Sequence, residues 1–377
     1  MKGVYMPWND RNKMTIKREL VLKLLTNEQS ITNLCKEYGI SRKTAYKWLK
    51  RYENDGIIGL EDKPKVPFQT KSTNYEHVEL IINTRRKFPA WGGRKLRVYL
   101  INEGYDVPSE PTFNRILKKH GLIDVSESEK RQPFIRFERS KPNELWQMDF
   151  KGHFQLKEGR CHPLTVLDDH SRFAICLNAY KSEDGLSVQE GLTNAFRMYG
   201  LPEAMTMDNG SPWKGSYPWR LSRLTVWLMR LGIKISHSSP GHPQTQGKDE
   251  RFHRTIKEEI LKYYQFKDLK DTQERFDEWK YQYNYIRPHE GIGMKRPADR
   301  YYSSPRLFPE VLPELIYEDA HEIRKVQKNG IIEFEGKRYF LGEHFYGELI
   351  GIKKVEDNQF DLYFSKTKLS RIDIRNN

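Results

Sequence analysis

Three carboxylates in this sequence stand where solubility alone does not explain them. Asp149 falls inside the apolar, strand-like run Trp146-Gln147-Met148-Asp149-Phe150. Asp208 closes a second run, Met205-Thr206-Met207-Asp208, just ahead of the turn-forming pair Asn209-Gly210. Glu250 follows a Pro- and Gly-rich stretch, residues 239–247, and sits in the first turn of a charged amphipathic segment. A Glu in a first helical turn is ordinary by itself, because the helix dipole favours it there. The two upstream aspartates give it weight. Unpaired carboxylates brought together repel one another and raise their own pKa values. Such a set makes sense when a cation supplies the missing charge, and hard cations such as Mg²⁺ take oxygen ligands and keep several waters.

The three motifs resemble the Asp, Asp, Glu site of the DDE transposase and retroviral integrase superfamily, and most of all the bacterial insertion-sequence transposases with helix-turn-helix domains in front. The stretch GHPQTQGKDERFHRT, residues 241–255, is similar to that family's third motif, and Asp208-Asn209-Gly210-Ser211-Pro212-Trp213 to its second. The likeness spans most of the chain. It implies that Asp149, Asp208 and Glu250 are both the catalytic and the metal-binding residues, converging on one edge of a sheet. It implies Mg²⁺, with Mn²⁺ as substitute, and two ions per site. Phosphodiesters resist attack because they are anionic and leave a poor alkoxide, and two cations roughly 3.5–4 Å apart answer both problems. The activity implied is a DNA transposase that cuts the ends of a mobile element by hydrolysis and joins the 3′-hydroxyls to target DNA in line. The partners implied are terminal inverted repeats, target DNA and at least one further copy of the chain. The 42 positions from Asp208 to Glu250 exceed the spacing of many family members, and the insertion-like residues 213–219 account for the excess as a loop. The His/Cys zinc-binding module of retroviral integrases is missing, which favours a bacterial element. Two other readings use the same carboxylates: a DNA-binding regulator with a silent core, and a two-metal nuclease without strand transfer.

The elements that must position these groups follow from pattern and charge. With 377 residues, the chain exceeds one small core, and a length prior suggests two to four domains. Residues 1–141 hold 29 Lys and Arg against 17 Asp and Glu, whereas the rest holds 36 against 34. Clustered positive charge of this kind neutralises phosphates. No apolar run approaches the roughly 18 residues of a membrane span. The first ten residues lack a signal peptide's apolar core, so the expectation is a cytoplasmic protein, nucleoid-associated on DNA and without a membrane partner. Three scattered cysteines, Cys35, Cys161 and Cys176, suggest reduced thiols.

Along the chain the spacing predicts helices over residues 16–25, 31–38 and 42–52, with Ser30 and Ser41 as caps and Gly39 in the turn. This matches a helix-turn-helix with Arg42, Lys43, Thr44 and Lys47 facing DNA, against the plainer reading of a three-helix bundle with a solvated basic face. Further helices over 75–87, 94–102 and 109–121, the last with Ser109 as cap, make a second such candidate, with Arg94, Lys95 and Arg115 as DNA contacts. From residue 145 hairpin-linked strands and then alternating helices and strands predict a mixed sheet flanked by helices, the order of the ribonuclease-H-like fold. From about residue 322 only strands are expected, in a small β-barrel with turns at Glu335-Gly336 and Asp357-Asn358. The expectation is thus a multidomain chain: helix-turn-helix domains at 1–63 and 68–125, a linker at 126–141, an α/β core at 142–304 and an all-β barrel at 318–377. Around the third motif His242, Gln246, Lys248, Arg251 and Arg254 read as DNA contacts, and His253 as packing. Asp168 and Asp169 read as turn residues, and Asp249 as pointing about 100° away from Glu250.

Overall fold

The computed structural model describes residues 13–62, 74–123, 138–213, 215, 221–237, 247–317 and 321–375. The chain divides into two compact units, Met1–Ser72 and Thr73–Asn377. The described residues of the first form α1 (Lys13–Thr26), α2 (Ile31–Glu37) and α3 (Arg42–Asp55), followed by a short 3-10 turn, Gly56–Leu60. Ser30 and Ser41 accept the third-residue amides Asn33 N and Thr44 N at 3.4 and 3.2 Å, so both predicted caps form. Gly39, between α2 and α3, has φ +61°, a conformation that suits glycine. Leu20, Val21, Leu34, Ala45, Trp48 and Leu60 fill the core. Lys17 is buried with them, its ammonium 4.0 Å over the Trp48 ring and bonded to Leu60 O and Asp62. The opposite face of α3 leaves Arg42, Lys43 and Lys47 exposed.

The second unit begins with another three-helix group, α4 (Tyr75–Lys87), α5 (Gly93–Asn102) and α6 (Glu110–Lys119), around Ile81, Trp91, Leu96, Phe113 and Leu117. Gly93 lets α5 and α6 approach closely: a Cβ there would meet Asn114 Oδ1 at 2.0 Å, so any larger residue would have to displace that side chain. Ser109 occupies the cap position of α6, but its hydroxyl meets that of Thr112 and accepts no backbone amide, contrary to expectation.

The sheet that follows is mixed. β1 (Trp146–Phe150), β2 (Phe154–Gln155), β3 (Arg160–Asp168) and β4 (Ala174–Tyr180) pair antiparallel, with β3 between β1 and β4. β5 (Ala204–Met207) then runs parallel to β1, and β6 (Lys234–His237) parallel to β5. α7 (Gly185–Tyr199), between β4 and β5, and α8 (Arg223–Arg230), between β5 and β6, cover one face through Val188, Leu192, Phe196, Leu224 and Leu228. α9 (Gly247–Ile256) and α10 (Leu269–Tyr281) cover the other through Phe252, Ile256, Phe276 and Trp279. Both helices run on into a wider π-helical turn, residues Lys257–Leu261 and Gln282–Ile286.

A strap over residues 301–317 hydrogen-bonds along the core, Ser304 N to Tyr199 O and Leu201 N to Arg306 O, each at 2.7 Å. The C-terminal region is all β: β7 (His321–Lys325), β8 (Ile331–Phe334), β9 (Lys337–Phe340), β10 (Leu349–Glu356), β11 (Gln359–Phe364) and β12 (Thr367–Asp373). Both predicted turns form, with Glu335, Gly336 and Asn358 at positive φ. The closed barrel does not: among the described residues the strands pair as a four-stranded sheet, β12-β11-β10-β7, and a separate β8-β9 hairpin. The two meet through side chains, Phe334 against Phe360 at 4.8 Å, around a shared apolar core. Within the sheet Arg371 and Lys368 hold the Asp361 carboxyl down to about 2. The folded value lies below that of an unfolded Asp, so this contribution is present above about pH 4 and lost as pH falls towards 2. Arg371→Ala should therefore lower the melting temperature at pH 7 and have little effect at pH 2, as differential scanning calorimetry would show.

Candidate active site

Strand alternation sets the first carboxylate. Trp146 and Met148 face the α7–α8 layer, so Gln147 and Asp149 project to the opposite side, towards α9. The parallel pairing with β5 sets the second: Trp146 lies opposite Met205 and Gln147 opposite Thr206. Two residues further on, the same register brings Asp149 level with Asp208. Asp208 leaves the strand in an Asx turn, its Oδ1 accepting Gly210 N at 2.9 Å, and His237 bonds its carbonyl from β6. A Cβ on Gly210 would come within 3.0 Å of Asp208 Oδ2, so glycine keeps that carboxylate uncrowded.

The third element, α9, crosses β1 with Asp249, Phe252 and Ile256 buried. His253 Nε2 meets Thr165 Oγ1 at 2.8 Å, and that hydroxyl donates its hydrogen to Asp149 O at 2.9 Å. His253 is therefore the donor to Thr165, and its proton sits on Nε2. Burial and the nearby Lys151 ammonium lower His253 to about 4, so the ring is neutral, with Nδ1 3.9 Å from Asp149 Oδ2. Among the described residues no charged cation pairs with Asp149 in return. Burial, and after it the charge of Asp208, with Glu183 and Glu250 adding, pushes its carboxyl up to about 7.

Glu250 is exposed on the first turn of α9, whereas its neighbour Asp249 is buried, its Oδ1 without a hydrogen-bond partner among the described residues. Burial and the field of Asp149 and Asp169 drive Asp249 well above the usual carboxylate range. Its spacing to Phe252 and Ile256, three and seven residues on, marks a buried helical face, a signal masked by the charged run around it. Among the described residues no three His, Cys, Asp or Glu side chains stand close enough to hold a metal ion as they are. The donor set nonetheless fits a hard divalent cation: level carboxylates on adjacent strands, half-buried and mutually repelling.

The basic groups divide by what they touch. Arg42 is exposed and bonds Thr32 Oγ1 at 2.7 Å, Lys43 and Lys47 are exposed, and Thr44 bonds the Ser41 cap. Arg94, Arg115 and Arg254 are exposed. Lys95 instead turns inward to Glu290 at 3.8 Å, where burial and then Arg287 lower it to about 8. Arg251 stands 3.4 Å from the same Glu290. Lys248 places its ammonium on Asp169. His242 and Gln246 lie outside the described residues. Asp168 and Asp169 do more than turn the chain. Asp168 accepts Ser171 N, Ser171 Oγ and Asn143 N, and Asp169 accepts Arg139 N and Gln147 Nε2, all while fully buried.

Comparison with known proteins agrees with this architecture along the chain. Residues 139–243 and 231–297 match the integrase core domain, residues 16–67 a helix-turn-helix domain, residues 44–117 a homeodomain-like domain, and residues 321–377 the C-terminal domain of IS481 family transposases. The transposase for transposon Tn552 of Staphylococcus aureus is 25% identical over 87% of this chain and 76% of its own length. An uncharacterized 39.2 kDa protein of insertion element IS476 from Xanthomonas euvesicatoria is 31% identical over 42% of this chain and 44% of its own. The HTLV-2 integrase catalytic core domain in complex with magnesium overlays with a TM-score of 0.33 at 19% identity, over 43% of this chain and 97% of that one, too loosely to add weight. Helix-turn-helix domains thus stand ahead of an integrase core domain, with an IS481-type transposase C-terminal domain behind it, and the chain is similar to transposases of bacterial mobile elements.

Proposed function

We propose that this protein binds the ends of a mobile element, cuts them by metal-assisted hydrolysis and joins the freed 3′-hydroxyls to target DNA. The observation that carries the reading is the β1–β5 register, which brings Asp149 level with Asp208, with burial and the charge of Asp208 raising the Asp149 carboxyl. Asp149, Asp208 and Glu250 would hold the cations, Mg²⁺ or Mn²⁺, two per site. Bound there, the cations would activate the attacking oxygen and stabilise the leaving one. The chain's own part is to hold and orient. Asp149 and Asp208 stay fixed by the sheet, and His253, tied to Thr165 and neutral, adds no positive charge of its own beside Asp149. In the first step water oxygen bonds phosphorus and the 3′ oxygen leaves as a hydroxyl. In the second that hydroxyl's oxygen attacks a target phosphorus and the target's 3′ oxygen leaves. Each step exchanges one P–O bond for another, so no nucleophilic side chain is needed.

Residues 1–63 and 68–125 serve as the DNA-binding domains, residues 142–304 as the catalytic core, and residues 318–377 as a small all-β module. Both ends must be handled together, so the working form is at least a dimer on DNA. Exposed Lys43 and Lys47 on α3 contact phosphates in this reading. Each changed to Ala should weaken binding across sequences and reduce the slope of log affinity against log salt by about 1. A slope unchanged in the double variant would remove α3 from the DNA interface.

The reading is tested with a short duplex carrying the element's terminal sequence, already ending in a 3′-hydroxyl, together with Mg²⁺ and a supercoiled target. Joined products are expected. Nicked target without joined products would leave a nuclease, and an inert protein that still binds the duplex would leave a regulator.

A further inference from the structure

We propose that Asp169 is a positioning residue whose buried carboxylate locks the helix bearing Glu250 to the strand bearing Asp149. The inference rests on the functional reading above. Asp169 directly follows β3 and is fully buried. Its Oδ1 accepts Gln147 Nε2 at 2.7 Å and also the Lys248 ammonium, which reaches the Asp169 carbonyl oxygen as well. Gln147 stands two residues before Asp149, and Lys248 two residues before Glu250. One carboxylate oxygen thus ties together the two elements that carry the first and third acidic groups. The rest of Asp169 is held just as firmly: its Oδ2 accepts Arg139 N at 2.8 Å, and its own amide donates to Leu145 O at 3.0 Å. The anchor cannot drift, so what it holds cannot either.

The body of α9 has other anchors, Phe252 and Ile256 in the apolar layer and His253 on Thr165. These lie at or beyond the second turn. Glu250 is in the first turn, where Lys248 supplies the tie. The Lys248 side chain is only 14% exposed, so its charge is directed inward and not at a phosphate. Freeing that turn would let Glu250 shift relative to Asp149 without unseating the helix. A displacement near 1 Å at a reacting site costs about 10²-fold in rate.

The test is Lys248→Met in the full chain, beside wild type and Lys248→Arg, with three measurements: DNA affinity against salt, end-cutting rate at saturating DNA, and the Mg²⁺ concentration giving half the maximal rate. Expected for Lys248→Met are unchanged affinity and salt slope, a rate lower by about 10²-fold, and a Mg²⁺ requirement higher by about 10-fold. Lys248→Arg, which keeps charge and donors, should recover part of the rate. A wild-type rate at saturation, an unchanged Mg²⁺ requirement, or a loss confined to DNA affinity would overturn the proposal, the last by making Lys248 a phosphate contact. Should Lys248→Met not melt cooperatively, Asp169→Asn, which keeps the shape, is judged by the same criteria. If neither folds, the contact is a folding element and the positioning role is wrong. Wild type that cuts no ends would remove the functional reading and this inference with it, whereas wild type that cuts beside an equally active Lys248→Met removes only this inference.

Discussion

Asp149→Asn should lower end cutting by about 10²–10³-fold or more while the metal-free protein becomes no less stable than wild type. The two effects have one cause. Asp149 is a half-buried carboxylate facing Asp208, with Glu183 and Glu250 adding to the negative field and no charged cation opposite among the described residues. Without a metal that charge works against the fold, and an amide of the same shape removes the repulsion. With a metal it is the ligand the reaction needs. Sites of this kind trade stability for activity. Added Mg²⁺ or Mn²⁺ should raise the wild-type melting temperature by binding the folded state alone, and should raise that of Asp149→Asn far less. Thermal melts with and without cation, run beside the cleavage assay, check both halves. A variant that melts well below wild type without cation would show Asp149 to be a structural residue.

Glu259→Ala should be the most damaging substitution away from the carboxylates, with a loss of about 3–5 kcal/mol. Glu259 lies in the π-helical continuation of α9, and Arg287 follows that of α10. Their side chains are 5% and 6% exposed, Arg287 Nε donates to Glu259 Oε1 at 2.7 Å, and Trp279 Nε1 donates to Oε2 at 3.3 Å. The guanidinium also lies 5.4 Å from the Tyr283 ring centroid. Removing the acid leaves a buried guanidinium without a counter-charge, which is why breaking such a pair costs more than the pair itself contributes. For a unit of this size the expected fall in melting temperature is roughly 5–8 °C. Adding Arg287→Met should recover most of it, because no buried charge then remains. A double variant as unstable as Glu259→Ala alone would contradict the argument.

Much of the fold was legible wherever the cause is local. The caps Ser30 and Ser41, the glycine turn between α2 and α3, and the Glu335-Gly336 and Asn358 turns all depend on a few neighbouring residues, and they form as read. Ser109 has the right type in the right place, yet its hydroxyl is taken by Thr112. Barrel closure depends on backbone pairing between β7–β12 elements far apart in sequence, which strand patterns do not encode, and the hairpin packs on the sheet by side chains instead.

The candidate site divides the same way. Residue type and motif pointed to Asp149 and Asp208, but their common level arises from a β1–β5 register between segments some 59 residues apart, and no pattern in either strand carries that number. Asp169 has the composition of a turn residue, and its second role appears only when Gln147 and Lys248 arrive from two other elements. Lys248 and Lys95 show the limit of reading positive charge as DNA contact. Both face buried or half-buried acids, Asp169 and Glu290, which sequence spacing does not bring near them.

The central claim is that this carboxylate set cuts and joins DNA at an element's ends, and one measurement reaches it most directly. Purified protein, Mg²⁺ or Mn²⁺, and a plasmid carrying the gene with its native flanking DNA are incubated, and every new 3′ end and junction is sequenced, with Asp208→Asn in parallel. The expected result is breaks at an inverted-repeat boundary with 3′ ends joined to new sites, all absent from the Asp208→Asn reaction. Breaks of equal yield and scattered position in both reactions would contradict the claim.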